Sequence, residues 1–581
     1  MKNYLCYVGT IFCLVFLIIV SPGLLWSQNK ASELSPVTNT FAITHVNVIQ
    51  SPGVVLEDVT VIVKNGLIVS VGKDVAIPGE AEVMAADSMY LYAGFVGGLS
   101  HLGIPRTETA RNSGEERTRP ENPVNPPADV AGIQTDRKAV DLFDPSDKSI
   151  AAMREAGFTS AHVVPRGKML PGSGMIVLLG EGKANQLVLR ENTSQFSQFT
   201  GAPGVYPATL LGVMAKWKEL YSQTKYAMEH EAAYAKNPAG VRHPEYDPTL
   251  QALYPVVRKE LPVVFKTENV LDIQRAISMQ KEMGFSLMLA ECKQGWELTD
   301  KIKSQNIPVF LSLDLPKEVE EKPVRTGKAE ETATKEETPA EKEKAELEKR
   351  RLEAYKLYAS QASAFEKAGI TFGFSMLEAK PKDILSQIRI MIKYGLSENA
   401  ALAALTTNPA SLLGLSNVMG TVEKGKMANL VITDKPVFAE KSAIKYVFVD
   451  GKKYVMSTKP AGSKSATNPD AVKAVVGKWN IVTRSQMGER PGVLVIKNEG
   501  GALSGTISFE GSNGQMSNDL DVVEFDGKEL TFSYTFDMRG QSAEIEATAA
   551  IEGNKLSGTM TFGEFGSFPI EGEKESSPEN N

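Results

Sequence analysis

The sequence predicts an α/β protein: a (β/α)8 barrel, a small composite β-domain assembled from both ends of the barrel segment, and a C-terminal all-β domain. Three observations carry that prediction. Between Tyr92 and Leu415 short apolar runs alternate with helical ones, and alternating βα units in this number favour a parallel barrel. Hairpin signatures recur on both sides of that region, and beyond Met456 the chain reads as β throughout. A doubly wound sheet is the alternative for the middle region, but no Gly-rich dinucleotide fingerprint accompanies it. The expected boundaries are 41–90 with 416–456 for a composite β-sandwich, 91–415 for the barrel, 457–470 for a linker and 471–575 for a C-terminal barrel or sandwich.

Residues 1–27 read as an export signal, because Lys2 precedes an apolar run that Pro22 and Gly23 break before a polar segment. An uncleaved anchor is the competing reading, since about 20 apolar residues span a bilayer. With the signal removed no stable membrane span is expected, and the protein is periplasmic or extracellular. Cys6 and Cys13 follow Leu5 and Phe12, bulky residues that suit a lipoprotein cleavage site poorly. Only Cys292 then remains, so no intramolecular disulfide forms and stability rests on core burial. The net charge of −7 shows no basic excess and argues against nucleic acid as a partner.

In the first β-segment, Asn65-Gly66 separates two β-branched runs, and Asp450-Gly451 does the same far downstream. Both are two-residue hairpin turns, since each position needs positive φ. The runs FVGGLS, TSAHVV, GMIVLLG, PVVFKT, LMLAEC, PVFLSLD and TFGFS read as buried strands. Helices such as ENVLDIQRAISMQKEMG and DILSQIRIMIKYG fall between some of them, each stopped by glycine. Residues 104–144 form a polar, Pro-rich insertion after the first strand, which places it over the active-site end. A second insertion, 316–351, mixes both charges in low-complexity sequence; its first part is expected to be disordered and its last part to become a helix. In the C-terminal domain, LSGTISF and LSGTMTF echo each other as related hairpin strands, with Trp479 expected in the core.

Several segments together resemble the amidohydrolase superfamily, in its imidazolonepropionase-like branch. VKNGLIVSVG resembles the family's first hairpin, and YAGFVGGLSHLG its entry strand, which ordinarily ends in His-x-His. ENAALAALTTNPASLLGL followed by MGTVEKGKMANLVI resembles the closing helices and the return to the small β-domain. The resemblance implies a metal-dependent hydrolase of C–N bonds in cyclic amides or peptide-like small molecules. The divalent metal, usually zinc, activates water and polarises the carbonyl.

The same resemblance implies a degenerate metal site. Leu99 stands at the first ligand position with His101 at the second, Lys266 and Cys292 stand at the two later histidine positions, Leu178 at the bridging position, and Met376 and Leu377 in place of the strand-end aspartate, with Glu378 nearby. The chain has five histidines, at 45, 101, 162, 230 and 243, so no imidazole is available beyond residue 243. His101, Lys266 and Cys292 are therefore the catalytic candidates, and Lys266 and His162 the substrate-binding candidates; no metal ligand set is expected. Each has a plain structural reading beside it: His101 bonded to backbone at a loop mouth, Cys292 a buried inert thiol, His162 packed in the core. PGSGM lacks the spacing of a Ser nucleophile elbow and suggests at most a Gly-rich anion cradle. Two functions follow: a divergent amidohydrolase, or a non-catalytic binding protein that keeps the mouth as a pocket for a small amide or anion. A homo-oligomer, or an active relative as partner, is open in either case.

Overall fold

A computed structural model describes residues 39–105, 122–316, 339–456 and 474–575, apart from 486–487, 500–501, 512–513, 521, 526, 539–540 and 563–566. The signal, the 457–470 linker and the first part of the charged insertion lie outside the described residues. The composite sheet and the barrel make one compact unit, and the C-terminal β-domain falls in a second.

The composite domain is an eight-stranded sheet drawn from both ends of the barrel segment. Its order is Lys452–Val455, Ile444–Val449, Leu430–Thr433, Tyr90–Ala93, Thr40–Ser51, Val54–Lys64 and Leu67–Gly72, with Glu82–Ala85 also pairing with Thr40–Ser51. Alternating β-branched residues such as Ile43, Val61, Val63, Leu430 and Ile432 bury one face, each contributing about 2 kcal/mol relative to exposure. The predicted turns have positive φ at both positions, 50° and 79° at Asn65-Gly66 and 49° and 75° at Asp450-Gly451. They abut: a Cβ on Gly66 would lie 2.6 Å from the Asp450 carboxylate. The two sequence halves are thereby locked tip to tip.

Leu91 to Gly103 reads as one strand running out into a loop, but the structure breaks it at Gly94. Tyr90–Ala93 pairs with Leu430–Thr433 in the composite sheet, and the barrel begins with β1, Phe95–Ser100. Gly94 N–H donates to Asn429 O at 2.7 Å, and a Cβ there would lie 2.3 Å from Thr159 Oγ1, so the crossing needs glycine.

The further barrel strands are β2 (Phe158–Val163), β3 (Met175–Leu178), β4 (Gln195–Gln198), β5 (Val263–Lys266), β6 (Leu287–Cys292), β7 (Val309–Ser312) and β8 (Phe372–Ser375). β4 through β8 are parallel neighbours in sequence order, and β1 is parallel to β2. GMIVLLG departs from the expected parallel barrel strand: β3 runs antiparallel to β2, and its upstream extension Gly172–Ser173 runs antiparallel to β4. Leu178 pairs there with Ser160 and is buried. The polar strand β4, QFSQ, has no apolar run and was illegible in sequence. Among the described residues β8 and β1 are not joined by strand pairing; Met376 N–H donating to Leu99 O at 2.8 Å bridges them. Inside, the Phe310 ring reaches from β7 to Gly373 on β8 and Gly98 on β1, where a Cβ would lie 1.9 Å from it.

The helical end of the charged insertion is present as α1, Pro339–Lys367. The C-terminal domain is a nine-stranded antiparallel sheet in half-barrel form around Trp479, Phe532, Tyr534 and Met560. Trp479 is fully buried, and its indole N–H donates to Val475 O at 2.9 Å. The repeated LSGT has a steric reason. A Cβ on Gly505 would lie 2.2 Å from Val495 O, and one on Gly558 would lie 2.1 Å from Thr548 O.

Candidate active site at the barrel mouth

The C-terminal ends of β1, β5, β6, β7 and β8 bring together His101, Lys266, Glu291, Ser312, Ser375 and Glu378. Lys266 ends β5 and projects its ammonium between two carboxylates, 2.8 Å from Glu378 Oε1 and 3.3 Å from Glu268 Oε1. Burial alone would lower its pKa, but the two carboxylates outweigh that and raise it. Burial would likewise raise Glu378, yet the Lys266 ammonium holds it below the usual carboxylate range. Lys266 is thus a paired cation, its protonated form favoured by Glu378 and Glu268. Beside it Lys293 pairs with Asp314 at 2.7 Å.

His101 is half-buried; Nδ1 donates to Val164 O at 2.8 Å, and its ring packs edge-on against Phe196. Burial, then the Arg166 guanidinium, push its pKa down to about 3. The imidazole is therefore neutral with Nε2 as acceptor.

Two candidates are corrected by burial. His162 is enclosed, with Nδ1 donating to Gly98 O at 3.1 Å and Nε2 accepting from Ser194 Oγ at 2.9 Å. Both nitrogens are engaged inside the barrel wall. Cys292 is fully buried, and its thiol is pushed up to about 12, first by burial and then by the neighbouring Glu291 charge. Its Sγ lies against Gly295, where an added Cβ would be 2.8 Å from it. Burial and the raised pKa keep this thiol protonated at neutral pH. The PGSGM turn cradles no anion through Ser173 and Gly174, because their N–H groups donate to Arg137 O and Ser194 O.

The residue that sequence reasoning passed over is Glu291. It is fully buried at φ +55°, a left-handed conformation that is costly outside glycine. Its carboxylate crosses from β6 over β7 to β8, accepting from Ser312 Oγ and, at 2.6 Å, from Ser375 Oγ. The inward group ending β8 is therefore Ser375, not Met376; the latter seats its methyl on Gly97, where a Cβ would lie 1.8 Å away. The available signal was a lone glutamate closing an apolar strand.

The family model described as amidohydrolase family matches residues 339–454. Among solved structures, an amidohydrolase from Thermotoga maritima MSB8 aligns with a TM-score of 0.57 and 22% identity, over 72% of this chain and 100% of that one. A putative prolidase from Bifidobacterium longum aligns at 0.43 and 16%, covering 73% and 97%. An adenosine deaminase from Xanthomonas campestris, with bound zinc, aligns at 0.39 and 14%, covering 72% and 94%. No match was found among curated proteins. The first likeness shows the fold: an amidohydrolase-type TIM-barrel domain, here followed by a C-terminal all-β domain.

Members of that family usually bind a divalent metal such as zinc. Among the described residues no group of three or more His, Cys, Asp or Glu side chains is arranged to hold one. The mouth explains why: His101 has no second imidazole beside it, Glu378 and Asp314 are paired with ammonium groups, and Glu291 is paired with hydroxyls. These residues do not fit a metal.

Proposed function

We propose that this chain is a divergent, exported protein of the amidohydrolase superfamily, from its imidazolonepropionase-like branch. Its ancestral reaction is hydrolysis of a C–N bond in a cyclic amide or peptide-like small molecule, and its metal site has been rebuilt into a metal-free binding mouth. The present function is recognition of a small polar amide. Neutral His101 accepts through Nε2, and the Lys266–Glu378 pair offers one cationic and one anionic group side by side. The observation that carries this reading is Lys266: an ammonium held by Glu378 and Glu268 stands where the family resemblance places an imidazole ligand, and a cation there repels a metal. Export rests on the N-terminal run of Lys2, apolar residues and Pro22-Gly23.

The test is metal analysis of the mature protein after incubation with zinc and gel filtration, alongside hydrolysis assays on cyclic amides and dipeptides. Less than about a tenth of an equivalent of metal and no turnover is expected. About one tightly held metal per chain, lost in both His101→Ala and Glu378→Gln, overturns the reading and restores a metallohydrolase.

A further inference from the structure

We propose that Glu291, Ser312 and Ser375 form a proton-operated latch at the barrel mouth: the ionised carboxylate ties the first turns after β7 and β8 to β6, and proton uptake releases one of them. The inference does not depend on which ligand the mouth binds.

The geometry is a relay with each serine used twice. Ser312 and Ser375 donate their hydroxyls to Glu291, and their oxygens accept backbone N–H groups two residues on, from Asp314 at 3.0 Å and Leu377 at 3.3 Å. Those N–H groups open the turns that carry Asp314, the partner of Lys293, and Glu378, the partner of Lys266. One carboxylate on β6 therefore shapes both loops that present the mouth's ion pairs.

What faces Glu291 leaves its charge to the two hydroxyls. From β5 comes the Lys266 ammonium, committed to Glu378 and Glu268; from the turn after β6 comes Lys293, committed to Asp314. Glu378, after β8, is a like charge, and the Cys292 thiol adjoins on β6. At the end of β1 His101 is neutral, with Arg166 beside it. No ion pair reaches Glu291 among the described residues. A cavity of about 10 Å³ bordered by Lys293, Ser312, Asp314, Tyr358 and Gln361 adjoins the relay at Ser312, room for about one water.

Protonation consumes only a proton from solvent. A hydrogen on Oε2 turns that oxygen from acceptor to donor toward Ser375 Oγ. Ser375 Oγ has lone pairs for both the carboxyl O–H and Leu377 N–H, but its bond to Glu291 changes from charge-assisted to neutral, roughly half as strong, and its own hydrogen loses its acceptor. The Leu377 turn, which Ser375 carries, is the one loosened. Burial raises this carboxyl to about 7 although both serines favour the charged form, which brings the exchange into the neutral range.

The experiment is amide hydrogen exchange on the full mature chain from about pH 5.5 to about pH 8.5, corrected for intrinsic exchange and read at Asp314 and Leu377. Protection at Leu377 is expected to rise about fivefold from acid to alkaline, the worth of one hydrogen bond, with a one-proton midpoint near 7. Glu291→Gln abolishes the transition. Ser312→Ala shifts the midpoint at Leu377 upward, since it removes a donor to the charged form and leaves Ser375 in place to report; it carries the test alone if Glu291→Gln does not fold. Protection independent of pH in the native protein, or an unmoved midpoint in Ser312→Ala, overturns the latch.

Discussion

At the scale of single residues, the mouth is governed by which groups are buried and what they are bonded to. His101 and His162 have folded pKa values pushed down to about 3 and about 4, below the ordinary 6.5, so on acidification the unfolded chain takes up protons first. Their contribution to stability is complete above pH 6.5 and is lost progressively as pH falls through that value toward their folded pKa values. Glu291 works in the opposite sense, being raised to about 7 from 4.5. Its contribution is complete below pH 4.5 and lost as pH rises to about 7, because ionisation buries a charge even as it tightens the two turns. Below pH 6.5 the two histidines outweigh Glu291, so urea unfolding across pH 4 to 9 should show stability rising to a maximum near pH 7, and Glu291→Gln should steepen the rise between about pH 5 and pH 7. An unchanged slope there in that variant would contradict the assignment. For Lys266 and Glu378, both partly exposed, a double-mutant cycle with Lys266→Met and Glu378→Gln should give a coupling of about 0.5–1 kcal/mol, diminishing in high salt. His101 and Lys266 were legible in sequence because each stands at a strand end. Glu291 was less so, since one glutamate in LMLAEC carries no hint that two serines, 21 and 84 positions later, will meet it.

At the scale of elements, glycine decides where chain segments approach. β1 carries Gly97 and Gly98 against Met376 and Phe310, side chains from β7 and the end of β8. Gly98→Ala should destabilise the barrel by about 1–3 kcal/mol through overpacking. Adding Phe310→Leu should recover part of that loss, and failure to recover any would show that Phe310 is not the obstacle. Alternation of apolar runs located most of the barrel strands, because a strand buried on both faces must be apolar along its length. It failed at β4, whose Gln195, Ser197 and Gln198 look like loop. There Ser197 Oγ accepts from the Trp217 indole and donates to Met169 O, which satisfies that side chain in the wall, while the buried Gln195 amide has no hydrogen-bond partner among the described residues. The direction of β3 was equally hidden, since apolar content is the same for either direction.

For the whole molecule, the C-terminal half-barrel holds a core of its own centred on Trp479. Trp479→Ala should cost about 3–5 kcal/mol, seen by hydrogen exchange as lost protection across residues 474–575; protection kept there would mean that Trp479 does not hold the core. The sequence by itself determined the composite β-domain, the barrel and the all-β tail, because hairpin turns and hydrophobic periodicity are local and report backbone conformation directly. It also determined that the chain has five histidines and none beyond residue 243. Only the tertiary structure decided what the candidate residues touch. His162 and Cys292 became packing residues, Lys266 a paired cation, and Glu291 the buried carboxylate under the mouth, because burial and hydrogen-bond partners are set by strands distant in the chain.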